Sequence, residues 1–314
     1  MNNKLPKLIV ILGPTASGKT GTSLKLAKKY NGEIISADSR QIYKKMDIAT
    51  AKVKGEWQWG FNWNGPRKTY HVEDIPHHLI DIIDPGKQFT AADFRDKSIK
   101  YAKMAERSGR IPMVVGGTGL YISALVDNLS IPRVEANKKL RESLEEKTND
   151  ELISLLESLD PKILETIDKK NKRRLIRALE VCIFTGEPFS EQRKKGEQIF
   201  DVLQIGIEVD REELHNRISN RVDQMMKDGL LDEVSALLKQ KYGWQLPSMS
   251  GIGYKQFKPY VNGECTLEKS IEDLKRDTRR FARRQLTWFK KDKRIKWCKN
   301  YEEVEGEVGE FLKK

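Results

Sequence analysis

Gly13 and Gly18 flank a four-residue loop that runs directly into Lys19 and Thr20, giving the pattern Gly-x-x-x-x-Gly-Lys-Thr. Those residue types at that spacing suit a polyphosphate. Glycines let backbone amides turn inward around an anion, a helix N-terminus adds partial positive charge, and the lysine reaches a terminal phosphate. A threonine in the last position can place its hydroxyl on Mg²⁺. The context is the required one: residues 8–12 are an apolar, β-prone run ending at Gly13, and Leu24, Leu26 and Ala27 begin a helical pattern behind Thr20. A glycine-rich turn that binds nothing would not need this strand–loop–helix setting. Gly13, Thr15, Ala16, Ser17, Gly18, Lys19 and Thr20 are therefore expected to grip a diphosphate or polyphosphate. The carboxylate best placed beside them is Asp38, at the tip of a second short apolar run over residues 33–37. A carboxylate there can act as general base on an incoming nucleophile, and its ordinary alternative is to cap the next helix.

The elements that must position these residues alternate between strand and helix. Residues 8–12, 33–37 and 111–115 read as parallel strands, 78–83 as a strand or its approach, and 90–109 as a helix. Thr90 and Asp93 stand at capping-box spacing, and Gly109 serves as the helix stop. Such alternation argues a parallel α/β sheet, whose ligands sit outside the carboxyl ends of the strands. Thr20, Asp38 and Thr118 all fall at those ends and should face one crevice. Between residues 135 and 199 β-prone runs vanish, and helical periodicity spans 136–147, 150–159, 161–167 and 171–185. This block reads as an all-helical insertion domain in a core of 1–134 plus 200–314. Strand character resumes at 200–207, followed by helices over 212–228, 231–242 and 267–289. Residues 56–70 alternate aromatics with Asn-Gly and Gly-Pro breaks, which suggests a hairpin. Its aromatics beside basic residues either stack bases or cap a local mini-core.

The 314-residue chain is long enough for a large core, and 38% hydrophobic with 33% charged residues describes a globular protein. No apolar run approaches a membrane span, and the first seven residues lack a signal-peptide apolar region, so a cytoplasmic protein is expected. Cys182, Cys265 and Cys298 form no close pair, which argues against zinc and disulfides. The net charge of +12 favours a polyanionic partner. That charge clusters. Lys169, Lys170, Lys172, Arg173, Arg174 and Arg177 form one group, and Arg276, Arg279, Arg280, Arg283 and Arg284 recur on a helix whose other face carries Leu267, Ile271, Leu274, Phe281 and Trp288. Clustering on helix faces points to nucleic acid rather than to scattered solvated charge.

A phosphate loop alone serves kinases, GTPases, ATPases and other transferases. Asn171-Lys172-Arg173-Arg174 lacks the Asp of a guanine-binding motif, and glycines 116 and 117 stand where a motor ATPase would place a metal-binding Asp. Asp81 and Asp84 are the remaining substitutes for it, although Asp84-Pro85-Gly86 reads as a turn. The loop itself is followed by Ser36-Ala37-Asp38-Ser39-Arg40-Gln41, Asp47-Ile48-Ala49-Thr50-Ala51-Lys52, His77-His78-Leu79-Ile80-Asp81 and Gly116-Gly117-Thr118-Gly119. Further on come Ser250-Gly251-Ile252-Gly253-Tyr254-Lys255 and Arg283-Arg284-Gln285-Leu286-Thr287-Trp288. In this order, over nearly the whole chain, the sequence resembles the tRNA dimethylallyltransferase (isopentenyltransferase) family. The resemblance implies an α/β, P-loop NTPase-like parallel sheet flanked by helices. It implies transfer of a dimethylallyl group from its diphosphate to N6 of the adenosine just 3′ of a tRNA anticodon, with Mg²⁺ as cofactor.

By the same resemblance, Asp38 is the base, Lys19 stabilises the leaving diphosphate, and Thr118 bonds the adenine, its ordinary alternative being a helix N-cap. Arg217 and Arg221, one turn apart, would clamp the diphosphate. The tRNA anticodon stem-loop would meet Asp38, Ser39, Arg40, Gln41, Thr118, Arg141, Arg173, Arg174, Arg177, Ser250, Gly253, Tyr254, Lys255, Arg280, Arg283 and Arg284. The target base would be flipped from its stack. No Cys/His set for the zinc finger of some eukaryotic relatives is present, which implies a bacterial-type enzyme without a metal finger; a monomer is expected. A free-nucleotide isopentenyltransferase would share the loop and Asp38 without needing two basic helical faces, and a small-molecule kinase would share the loop alone.

Overall fold

The computed structural model describes residues 4–62, 65–192 and 194–314. In chain order the first elements are β1 (Lys7–Leu12), α1 (Lys19–Lys29), β2 (Gly32–Ala37), β3 (Glu56–Asn62), β4 (Gly65–Val72) and β5 (Ile75–His78). Next come α2 (Ala91–Arg107), β6 (Ile111–Gly116) and α3 (Gly119–Val126). The helices α4 (Lys138–Glu145), α5 (Asn149–Leu159), α6 (Lys172–Thr185) and α7 (Phe189–Gln192) follow. The chain closes with β7 (Asp201–Ile207), α8 (Arg211–Lys227), α9 (Leu230–Lys239), α10 (Lys258–Val261), α11 (Leu267–Phe289), β8 (Ile295–Cys298) and α12 (Tyr301–Lys313).

Two compact units result, Met1–Leu125 with Ile199–Lys314, and Val126–Gln198. The first unit holds one sheet in the order β3-β4-β5-β2-β6-β1-β7-β8. It is parallel except for the β3–β4 hairpin and the pairing of β4 with β5. β1 reaches β2 by crossing β6, whereas β6 leads on to β7 by crossing β1, so the connections diverge at the carboxyl ends of β1 and β6. That is where a doubly wound sheet opens a crevice. Ile9, Ile11, Ile34, Met113, Leu203 and Ile205 cover one sheet face and bury Leu26 and Ala27 of α1 with Val304 and Val308 of α12. A second cluster ties Ile42, Tyr43 and Met46 to Val222 of α8, Val234 of α9, Tyr254 and Leu274 of α11. It fixes the helices that wall the crevice.

Local sequence explains the element ends. Thr90 and Asp93 form the capping box at the start of α2, and Gly109, at φ 68°, follows its last turn. Of the strand or strand approach expected over 78–83, only His78 lies in a strand. Leu79 and Asp81 take positive φ, β5 stops at His78, and Ile83 keeps only an isolated bridge to Tyr43. The hairpin over 56–70 is present. Trp57 sits edge-on to Tyr70 with ring centroids 5.6 Å apart, a local mini-core, while Trp59 lies exposed beneath the Lys68 ammonium. Trp63 and Asn64 of that segment lie outside the described residues, as does Arg193.

The second unit is helical. Leu144, Leu152, Leu156, Leu175, Ile176 and Leu179 form its core. Asn137, Thr148 and Asn171 cap α4, α5 and α6. Within 161–167, the stretch of expected helical periodicity, Pro161–Glu165 form a 3₁₀ turn. The unit starts where α3 ends, before the change of texture at residue 135.

Candidate active site

The phosphate loop forms as its residue types require. Gly13 at φ 151°, Ala16 at 63° and Gly18 at 91° turn the backbone between β1 and α1. A Cβ on Gly13 would stand 3.1 Å from the Ser17 Oγ and 3.2 Å from the Ile207 carbonyl, so glycine is needed for clearance there. Lys19 Nζ folds back onto the Pro14 carbonyl at 2.5 Å and lies 3.4 Å from Ser17 Oγ. Burial, reinforced by Arg221, pulls its pKa down to about 7 against the opposing field of Asp38. A cation whose pKa is lowered beside a second cation would be stabilised by an anion bound in the loop. Thr20 is exposed on the wall of the same cavity.

Two helices far along the chain complete the cradle. Arg221 of α8 donates from Nη1 to Thr15 Oγ1 at 3.3 Å, and burial holds its pKa below the usual arginine range. Arg217, one turn earlier, places Nη1 3.8 Å from where a Cβ on Gly18 would stand, and it pairs with Glu213. Both side chains approach the loop, and Arg221 also lines the cavity there. Gln285 of α11 accepts from Thr15 N at 2.8 Å and donates to the Gly117 carbonyl at 2.8 Å. It thereby ties the phosphate loop to the turn after β6. Sequence reading did not single it out.

Asp38 follows β2 directly. Its Oδ1 accepts from Arg40 N at 2.8 Å and Gln41 N at 3.4 Å, an Asx turn that fixes the carboxylate. Among the described residues Oδ2 has no hydrogen-bond partner. One oxygen positions the group and the other is left for a ligand. Thr118 begins α3 with its carbonyl, which accepts from Tyr121 N and Ile122 N. Its Oγ1 accepts from Ser39 N at 3.0 Å rather than capping the helix, so its hydroxyl proton is available.

Two cavities of about 290 Å³ each meet at Asp38. The first is walled by residues 15–21 of the phosphate loop and α1, Asp38, Gln41, Thr50, Ala51, Arg221 and Gln285, with Ile34, Val53, Ile80 and Val115 among its apolar lining. His77 also lines it, its Nδ1 bonded to the Ile75 carbonyl, and burial lowers its pKa to about 4, so the imidazole is neutral. The second cavity is lined by Asp38, Ser39, Arg40, Thr118, Met225, Ser250, Lys255, Phe281 and Arg284. Thr15, Asp38, Thr50, Ala51, Arg221 and Phe281 belong to both.

Several expected RNA contacts are placed otherwise. Tyr254 is fully buried and donates its hydroxyl to Glu233 Oε1 at 2.7 Å, so it is a core residue. Gly253, at φ 99°, is buried against Ala49. Arg40 spends its guanidinium on the Pro247 carbonyl at 2.5 Å and on Ser250 Oγ at 3.3 Å. Phe281 faces the two cavities and Trp288 is partly exposed against Gly119, so neither joins the core. The buried stripe of α11 runs through Leu274, Thr278, Ala282, Gln285 and Phe289 instead. Its arginines also divide. Arg284 faces the second cavity, whereas Arg276, Arg279, Arg280 and Arg283 line a separate basic cavity of about 550 Å³ with Arg211, His215 and Lys290. Asp81 pairs with Lys52 and Asp84 accepts from Tyr242, so neither serves the phosphate loop.

In the helical unit, Arg141 and Arg177 both close on Glu180, which is fully buried. Arg141 donates from Nε at 2.9 Å and Nη2 at 2.7 Å, and Arg177 from Nη1 at 2.6 Å. Burial pushes the Glu180 carboxyl up, and these bonds with Asn137 N overcome it, leaving the group below the usual carboxylate range. The two guanidiniums are committed to folding rather than presented to a partner. Arg173 and Arg174 are exposed and unpaired among the described residues.

A phosphate loop on a divergent parallel sheet, with a poised carboxylate opening into a second cavity, defines a P-loop-type group transferase. The model of the IPP transferase family matches residues 41–292, and that of the isopentenyl transferases residues 6–56. The chain belongs to the IPP transferase family. It is 42% identical over 300 residues to the tRNA dimethylallyltransferase of Acetivibrio thermocellus, covering 93% of this chain and 91% of that one. It is similar in structure to a tRNA delta(2)-isopentenylpyrophosphate transferase from Staphylococcus epidermidis, with a TM-score of 0.67, 37% identity, and 98% and 99% coverage of this chain and that one. A eukaryotic dimethylallyltransferase acting on tRNA matches at a TM-score of 0.70 and 30% identity over 90% of this chain and 70% of its own.

Proposed function

We propose that the protein transfers the dimethylallyl group of dimethylallyl diphosphate to N6 of the adenosine 3′ of the anticodon in tRNA, releasing diphosphate. The observation that carries this reading is the sharing of Asp38 between the cradle of Lys19 and Arg221 and the second cavity, of a size to admit a purine. The donor's diphosphate lies in the loop. The adenosine, taken out of its stack, enters the second cavity past Ser250, Lys255 and Arg284. N6 attacks the allylic carbon as the C–O bond breaks, and the electron pair leaves with diphosphate. Lys19, Arg221 and the loop amides stabilise the charge that grows there.

An exocyclic amine is a poor nucleophile because its lone pair is delocalised into the ring. Asp38 Oδ2, free of hydrogen-bond partners among the described residues, accepts its proton, and Thr118 donates to the base. Among the described residues no three His, Cys, Asp or Glu converge to hold a metal by themselves. The exposed Thr20 hydroxyl beside the loop fits Mg²⁺ held jointly with the diphosphate. Bound there, the ion would neutralise leaving-group charge. We assign the exposed Arg173 and Arg174, with Arg280 and Arg283, to the RNA backbone. A monomer acting in the cytoplasm fits this reading, and among the described residues no helix is long and apolar enough to cross a membrane.

The test is incubation with labelled dimethylallyl diphosphate and either tRNA or AMP, beside the same acceptors with γ-labelled ATP. Label reaching tRNA from the first donor alone is expected. Transfer to AMP and not to tRNA, or phosphate transfer from ATP, would overturn the reading.

A further inference from the structure

The loop after β2 carries a feature that the transfer chemistry does not use. Three successive backbone amides, Asp47 N, Ile48 N and Ala49 N, converge on one carboxylate, Glu233 of α9, at 2.7, 2.7 and 3.2 Å. Successive amides curled in this way form an anion-binding nest. Here a side chain of the same protein fills it. The fourth donor to that carboxylate is the buried Tyr254 hydroxyl, at 2.7 Å.

We propose that Glu233 is a positioning residue for the acceptor, clamping together the two segments that wall the second cavity. This rests on the reading above, in which that cavity receives the acceptor base. One clamped segment supplies Ala49, Thr50 and Ala51 to the wall, and the other supplies Ser250, Gly251, Ile252 and Lys255. Their close approach is built in. A Cβ on Gly253 would stand 2.6 Å from the Ala49 Cβ, and Gly253 N is held by Gln256 Oε1 at 3.0 Å. From the other side Gln41 Nε2 donates to the Thr50 and Ala51 carbonyls at 3.2 and 3.3 Å. The backbone of Gln41 in turn rests on Asp38. Glu233 therefore acts through the loop on the cavity beside the base, without touching either substrate. Charge matters as well as shape: four donors face the two oxygens, and a neutral amide would turn an NH₂ group toward some of them.

The experiment compares Glu233→Gln and Tyr254→Phe with the wild type for transfer to tRNA, with KM measured separately for donor and acceptor. Glu233→Gln is expected to raise the acceptor KM about tenfold and Tyr254→Phe about threefold, while the donor KM stays within twofold. Amide hydrogen exchange at residues 47–49 should quicken in both variants, a readout independent of what the acceptor is. Unchanged exchange there, or donor and acceptor KM rising together, would overturn the proposal. So would activity lost only in proportion to folded protein, at unchanged KM. A wild type that transfers nothing to tRNA would instead overturn the functional reading, and the exchange result would still judge the clamp. If Glu233→Gln does not fold, Tyr254→Phe, which removes one hydroxyl, carries the same tests.

Discussion

The arginines at the phosphate loop and those of the helical unit differ in what they face. Arg221 is half-buried beside a second cation, Lys19, and both have pKa values pulled down. Arg141 and Arg177 face a buried carboxylate that answers them both. In the first region Arg217 pairs with Glu213, but among the described residues Lys19 and Arg221 form no ion pair, so their charge is available to a ligand. In the second, Arg141 and Arg177 are held by Glu180, whereas Arg173 and Arg174 stay exposed. Counting cations along a sequence cannot separate the two cases, because the answering carboxylate is 39 residues from Arg141 but only three from Arg177.

The largest way to sharpen that comparison is to remove the charge available to a ligand. Lys19→Ala should lower transfer about 10²–10³-fold, the usual loss when one donor to a developing anion is removed; single-turnover rates at saturating donor check this. Arg221→Ala should raise the donor KM about tenfold, whereas Arg141→Ala should leave it unchanged. Equal effects of the two would break the distinction. The pH dependence carries the same logic. Lys19 must be protonated to hold diphosphate, so donor kcat/KM should fall as pH rises through about 7, and Lys19→Arg should remove that limb of the profile.

The smallest effects belong to the helical unit. Glu180→Ala should destabilise it by about 2 kcal/mol, the scale for losing charge-assisted hydrogen bonds to a buried group, with donor KM unmoved. Thermal unfolding alongside donor titration measures both. Arg173→Ala and Arg174→Ala should weaken tRNA binding a few-fold and lower its salt slope by roughly one each if each meets a phosphate.

Much of this was legible in the sequence where function is local. The phosphate loop, Asp38 after β2 and the capping box of α2 are each set by residues within a few positions of one another. The strand or strand approach expected at 78–83 stops at His78 because apolar composition does not report the positive φ of Leu79 and Asp81. Gln285 and His77 stand out in the sequence only as members of longer motifs and Glu233 not at all, since the contacts of Gln285 and Glu233 lie on segments distant in sequence and the burial of His77 at the cavity wall carries no short-range signal. Tyr254 looked like a contact residue by its motif, and only burial shows that its hydroxyl serves Glu233. β8 and α12 were missed because a four-residue strand and an acidic amphipathic helix stand out only once the sheet edge beside β7 is known.

The central claim is that one carboxylate serves both cavities. Single-turnover transfer by Asp38→Asn, at saturating labelled donor and tRNA, tests it most directly. A loss of about 10²–10⁴-fold in the transfer rate, with donor and tRNA binding retained, is the result expected. A rate near that of the wild type, or a loss traced wholly to binding, would contradict it.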